Sequence, residues 1–265
     1  MLANLFARKK PIIGMVHLLP LPGSPKYDGQ LKKIIDRAIH DARALEDGGV
    51  DGIIIENIND VPYYPTKVPP ETIASMTFVA SKVAEVISIP IGINVLRRDS
   101  IAAMAIAYTI GSRFIRTNIL IGAYVTDQGI IEANAHELLT YRALLGEDIK
   151  IFADIRVKYA SPLYDRPIYL EAEDAAYRGL ADAIIISGAK TGSPPDIQLI
   201  KGLKEKIKNI PILIGSGVNE NNAKNLIEIA DGAIIGSFFK KDGILENPVD
   251  IERVRKLVSI IDELR

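Results

Sequence analysis

The sequence predicts a single parallel eight-stranded (β/α)8 TIM barrel, and three observations carry that prediction. Short apolar runs rich in β-branched residues alternate with longer amphipathic stretches along the chain. The alternation occurs eight times within 265 residues, the size of one closed barrel. No proline-, glycine- or serine-rich hinge and no change of composition divides it, so residues 1–265 read as one domain with residues 1–10 as an N-terminal extension. An open doubly wound sheet would more often carry G-x-G-x-x-G after its first strand, and "GMVHLL" lacks it.

The elements follow in order. "IIGMVH" is the first strand, then "GIIIEN", "IGINVL", "FIRTN", "IFADIRV", "AIIISG", "ILIGSG" and "AIIGSF". Each is too short for a core helix and apolar enough for burial on both faces, as parallel strands require. Between them run helical patterns such as "QLKKIIDRAIHDARALEDGG", which stops on Gly48-Gly49, "PPETIASMTFVASKVAEVI" and "VDIERVRKLVSIIDEL". "GVDG", "LADA" and "IADG" mark the turns into strands two, six and eight. After the first strand, three prolines and a glycine from Pro20 to Pro25 predict a stiff loop over the site.

Composition narrows the function. The 32 basic and 33 acidic residues give a formal net charge of -1, so a nucleic-acid partner is not expected. The absence of cysteine excludes disulfides, thiolate metal sites and a cysteine nucleophile. No apolar run approaches the ~20 residues that span a bilayer, and "MLANLFARKKP" lacks a signal-peptide core, so a cytoplasmic protein is expected. The 48% apolar content leaves room for an exposed patch and a homo-oligomer.

Chemistry in this fold sits at the carboxyl ends of the strands. There the sequence places His17, Glu56-Asn57, Asn94, Arg116 with Asn118, Asp154 with Arg156 and Lys158, Ser187-Gly188, Gly215-Ser216-Gly217 and Gly236-Ser237. Strand side chains alternate, so Glu56, Arg116 and Asp154 should share the barrel mouth. One alternative is a mutually satisfied polar plug. Against it, grouped buried charges stabilise poorly and active sites use them to tune pKa values.

Glu56 and Asp154 are candidate acid and base for proton transfer beside a carbonyl, as in isomerisation or epimerisation. His17 completes the reacting end, and Arg116 would stabilise developing negative charge. Lys158 is a general acid or Schiff-base amine, ranked lower because it lies four residues past Asp154. Lyase and hydrolase chemistry stay open. The glycines and serines after strands seven and eight resemble a phosphate cradle. Asn94, Asn118, Ser187 and Gly188 join Gly215, Ser216, Gly217, Gly236 and Ser237 as candidate substrate contacts. Lys240 and Lys241 would add positive charge nearby. The expected ligand is a small phosphorylated metabolite. No cofactor is expected; one histidine and two carboxylates suggest a divalent metal only weakly, without H-x-H or H-E-x-x-H spacing.

The segments "IGMVHLLPLPGSPKYDG", "GVDGIIIENINDVPYY", "INVLRRD", "FIRTNILIGAYVTDQGIIE", "FADIRVKYASPL", "ADAIIISGAKTG", "ILIGSGVNENN" and "DGAIIGSFFKKDG" together resemble the BtpA family of the ribulose-phosphate-binding barrel superfamily, nearly end to end. The resemblance implies the barrel and, through the superfamily, a phosphate site. It implies no particular reaction. After Lys158 the family pattern usually has histidine, where this chain has Tyr159. The family also suggests a competing role, a non-catalytic membrane-protein or photosystem assembly factor, with the loop "ILIGAYVTDQG" as an interaction surface.

Overall fold

The computed structural model describes residues 2–265. Its centre is a closed parallel barrel of eight strands. They are β1 (Ile12–His17), β2 (Gly52–Glu56), β3 (Ile91–Asn94), β4 (Phe114–Thr117), β7 (Lys150–Ile155), β9 (Ala183–Ile186), β10 (Ile212–Ile214) and β11 (Ala233–Ile235). The intervening β5 (Ala123–Thr126), β6 (Gly129–Glu132) and β8 (Ala160–Pro162) form a separate antiparallel sheet in the order β6-β5-β8.

Eight helices surround the barrel: α2 (Leu31–Asp47), α3 (Pro70–Ala84), α4 (Ser100–Thr109), α5 (Ala135–Leu145), α6 (Ile168–Glu173), α7 (Ile197–Lys206), α8 (Ala223–Ile229) and α9 (Ile251–Asp262). The short α1 (Leu2–Leu5) precedes them, and α6 continues into a π-helical turn at Asp174–Arg178.

Two shells of apolar side chains follow from the strand alternation. Outward residues such as Ile12, Ile53, Ile93 and Ile115 meet the helices. Inward residues Ile13, Met15, Ile54, Phe114, Phe152, Ile185, Leu213 and Ile234 fill the barrel. Phe114 and Phe152 stack there at 4.7 Å. Full burial of a phenylalanine contributes about 2–3 kcal/mol.

Within the N-terminal extension, residues 2–10 contribute to the core. Leu2 and Phe6 belong to the inner cluster, and Phe6 meets Phe114 edge-on at 5.7 Å. They close the end of the barrel opposite the mouth, where the inward strand residues would otherwise face water. The segment read as the loop "ILIGAYVTDQG" also differs: most of it is the β5–β6 hairpin, tied down by β8. β5 is the central strand, paired with β6 next to it in sequence and with β8 from beyond β7, and local patterning does not reveal that second, long-range pairing.

The aspartates of the "GVDG", "LADA" and "IADG" turns share one task. Asp51, Asp182 and Asp231 accept from N–H groups at the starts of the neighbouring strands, at Ile12, Ile151 and Ile212, at 2.7, 2.9 and 2.9 Å. Each joins two strands at the closed end and satisfies an amide that the ladder leaves unpaired.

Candidate active site

Strand alternation builds the mouth. Above the apolar layers the next inward positions are His17 on β1, Glu56 on β2, Asn94 on β3, Arg116 on β4 and Asp154 on β7, all buried. Arg116 grips Asp154 with two hydrogen bonds, Nε to Oδ2 at 2.8 Å and Nη2 to Oδ1 at 2.9 Å. Asn118 donates to the same Oδ2 at 2.9 Å. Burial works against the guanidinium charge, but Asp154 and Glu56 outweigh it and hold its pKa above the ordinary arginine value.

Asp154 is therefore filled by protein donors. It holds Arg116 and Asn118 in place, with both of its oxygens engaged. Glu56 is different. Its Oε2 accepts from Asn94 Nδ2 at 2.5 Å and lies 3.9 Å from Arg116 Nη1. Its Oε1 faces His17 Nε2 at 3.9 Å, beyond hydrogen-bond range.

His17 is uncharged. Burial first, then the positive charges of Lys240, Lys158 and Arg116, hold its pKa well below 6.5. Its Nδ1 is buried without a partner. Gly236 makes room for the ring: a Cβ there would stand 2.9 Å from His17 Cε1.

Lys158 reaches the mouth from just beyond β7. Its Nζ donates to the Gly215 carbonyl at 3.3 Å. Burial, then the adjacent Arg116, lower its pKa to about 8 against the pull of Asp154 and Glu56. The direction of this shift predicts a pH dependence. The unfolded chain keeps the lysine proton up to about pH 10.5, so between pH 8 and 10.5 it holds more protons than the folded chain. Stability contributed at this residue then rises with pH across that window. Lys158→Met is expected to raise stability at pH 7 by about 2 kcal/mol, discounted for the water that reaches a partly exposed amine. Melting curves should show the gain shrinking as pH climbs from about 8 toward 10.5. A variant that melts lower at every pH would make the lysine a structural prop instead.

A cavity of about 500 Å³ opens above this layer, with Glu56, Arg116, Asn118, Lys158, Arg97 and Lys26 in its wall. Arg97 and Lys26 are the residues that sequence reasoning missed. Arg97 Nη2 donates to the Lys158 carbonyl at 2.5 Å while its Nε is buried without a partner. The available signal was the arginine pair of "INVLRRD", directly after an apolar strand. Lys26 comes from the proline-rich first loop. That loop leans on its neighbours more than over the site: Asp60 accepts from Leu21 N at 2.8 Å, and Thr72 donates to the Pro22 carbonyl at 2.7 Å. Burial pushes the Asp60 carboxyl up to about 6.

The glycine- and serine-rich turns sit beside this layer, partly occupied by the chain itself. Ser216 Oγ donates to the Ser193 carbonyl at 2.7 Å and accepts from Gly188 N at 3.1 Å. Gly217, at φ +74°, lies so close to Pro194 that a Cβ would stand 2.1 Å from its nitrogen. The loop from Ser187 to Asp196 thus folds onto the seventh-strand turn. Asn94 serves Glu56 and Asn118 serves Asp154. Ser187 Oγ is buried and unpartnered, and Ser237 Oγ faces Gly192. Lys240 belongs elsewhere. It is fully buried, pairing with Asp41 of α2 at 2.7 Å, and so adds no surface charge for a ligand. Burial pushes Asp41 up, but Lys240 and the Val249 N–H hold it below the usual carboxylate range.

Among the described residues, no group of three or more histidine, cysteine, aspartate or glutamate side chains is placed to hold a metal ion. No helix among them is long and apolar enough to cross a membrane.

Known proteins share this architecture. An uncharacterized protein of Methanocaldococcus jannaschii is 46% identical over 258 residues, covering 97% of each chain. The photosystem I biogenesis protein BtpA of Synechocystis is 44% identical over 258 residues, 97% of this chain and 90% of that one. N-(5'-phosphoribosyl)anthranilate isomerase from Pyrococcus furiosus superposes with a TM-score of 0.59 at 13% identity, over 95% of this chain and 98% of that one. At that identity the likeness shows the barrel alone. The BtpA family model matches residues 8–263, and together with these full-length relatives it shows that the chain belongs to the BtpA family.

Proposed function

We propose that the protein is an enzyme that transfers a proton beside the carbonyl of a small phosphorylated substrate. One observation carries this reading. The wall of one cavity holds a carboxylate with an unengaged oxygen, a guanidinium fixed by a second carboxylate, and an amine with a pKa of about 8. Glu56 Oε1 would take or return the proton. Arg116, aimed by Asp154, would face the oxygen on which negative charge develops, with no reorganisation at the moment of reaction.

The phosphate would rest near the Gly236–Ser237 turn, where backbone N–H groups and Ser237 Oγ would donate to it. A solved protein with the same barrel is named N-(5'-phosphoribosyl)anthranilate isomerase, an isomerase of a phosphorylated substrate. Thermal shift with a panel of triose, pentose and hexose phosphates, each beside its unphosphorylated parent, tests the reading. At least one phosphate ester should raise the melting temperature more than its parent sugar and more than equimolar inorganic phosphate. Equal responses across every ester and its parent would sink it.

A second reading, a non-catalytic assembly role, has one observation in its favour besides the Synechocystis relative's name. Val125 and Ile130 of the added sheet, with Leu163 and Tyr164 just beyond it, are exposed apolar residues. It gives no account of the amine and carboxylate in the mouth, and we rank it second.

A further inference from the structure

We propose that Lys158 is a nucleophile that joins an aldehyde or ketone substrate as an imine. This rests on reading the mouth as a site for small phosphorylated molecules. It adds the functional group, a free carbonyl, and the bond that forms.

The backbone around Lys158 is built to aim it. Arg156 and Tyr159, on either side, sit at φ 51° and 56°. That left-handed region is unfavourable for residues with a Cβ, and it persists where surrounding contacts fix it. Those contacts are present. Arg156 Nη2 donates to Glu171 at 2.9 Å, Arg97 donates to the Lys158 carbonyl, and Tyr159 OH meets Thr191 Oγ1 at 3.3 Å. A chain leaving β7 in extended form would carry Lys158 past the mouth. The reversal at Arg156 brings it to the cavity wall, and the one at Tyr159 turns the following chain away.

The surroundings of Nζ suit a nucleophile better than a structural cation. The nearby carboxylate of Asp154 is filled by Arg116 and Asn118. Among the described residues the only hydrogen bond of Nζ goes to a neutral carbonyl, that of Gly215 on the barrel's seventh strand end. The charged groups that act on it are Arg116 on β4, Asp154 on β7, Glu56 on β2 and Arg97 after β3. Burial, Arg116 and Arg97 outweigh the opposing pull of Asp154 and Glu56 and lower the amine to about 8, so about half of it is unprotonated at pH 8. An ordinary lysine is almost wholly protonated there, and only the free amine attacks a carbonyl.

The step balances without an external reagent. The Nζ lone pair forms a C–N bond to the carbonyl carbon as the C=O π pair moves to oxygen. That oxygen takes a proton, and the nitrogen releases one. A second proton, supplied through Glu56, lets the hydroxyl depart as water and leaves a protonated imine. The imine then accepts the electron pair of an adjacent C–H or C–C bond. Loss of a C–H proton serves isomerisation, and cleavage of C–C serves a lyase.

Borohydride trapping tests this on the full-length protein. The probes are glyceraldehyde 3-phosphate, dihydroxyacetone phosphate and unphosphorylated glyceraldehyde, at pH 7, 8 and 9, with peptide mass mapping. The expected result is a reduced adduct concentrated on Lys158, with half-maximal labelling near pH 8 and at least tenfold preference over any other lysine. Lys158→Arg and Lys158→Met should both remove it, and circular dichroism should show the variants folded. Absence of an adduct, or labelling spread over exposed lysines with Lys158 no more reactive than the rest, overturns the proposal. If phosphate esters still raise the melting temperature in that case, the imine falls and the phosphate site stands. If glyceraldehyde labels Lys158 as well as its phosphate does, the imine stands and the phosphate reading falls.

Discussion

Glu56→Gln is expected to lower turnover of a stabilising sugar phosphate by roughly 10²- to 10⁴-fold, the scale of a lost general acid–base group. It should do so with little change in melting temperature. The amide keeps an oxygen able to accept from Asn94 Nδ2, now at 2.5 Å from Glu56 Oε2. The nearest cation, Arg116 Nη1 at 3.9 Å, keeps its other partner in Asp154. Ligand-induced thermal shift should also survive, because the change removes one charge and little volume. Steady-state rates beside melting curves for the same preparation provide the check. Full turnover in the variant would take Glu56 out of the chemistry. A large melting loss would return it to the polar plug that sequence reasoning weighed as an alternative.

Asp154→Ala should give the opposite pattern. Arg116 is buried and loses both of its short hydrogen bonds, and Asn118 loses its acceptor. Removing one partner of a buried ion pair costs about 3–5 kcal/mol, because the remaining charge is left uncompensated. At roughly 2–4 °C per kcal/mol for a chain of this size, the melting point should fall by about 10 °C. Adding Arg116→Met to Asp154→Ala should recover much of that loss, since an apolar pair of similar volume is often no less stable than the ions it replaces. Activity should not return with it. Unchanged melting in the single variant, or no recovery in the double, would mean that solvent already screens this pair.

These two carboxylates looked equivalent in the sequence. Both follow an inward apolar residue in phase, at the carboxyl ends of the barrel's second and fifth strands. What separates them is partnership. Arg116 and Asp154 lie 38 residues apart, and no local pattern says that a guanidinium will use both of its forks on one carboxylate rather than sharing them. Lys240 repeats the lesson at 199 residues of separation. In sequence it is half of a surface-like lysine pair. In the fold it is a buried cation on Asp41.

Lys158 shows a different limit. Period-two alternation places residues on β7 but stops at its end, where two non-glycine residues in left-handed conformation, Arg156 before the lysine and Tyr159 after it, reverse the chain. Glycine would have announced such turns, but arginine and tyrosine do not. The seventh-strand glycines were legible as residues that let something approach closely. At Gly217 the structure shows the chain's own Ser193–Pro194 segment in that place.

By itself the sequence determined the eight-stranded barrel, the inward phase of His17, Glu56, Arg116 and Asp154, and the family. Those follow from hydrophobic alternation and strand-end polarity, which are local and repeat eight times. The tertiary structure alone decided which carboxylate is engaged and which has a free oxygen, that Lys158 turns inward, that Leu2 and Phe6 close the far end, and that Lys240 is buried. Each depends on groups brought together only when the barrel closes, where burial and long-range pairing set the charge and reach of every side chain in the mouth.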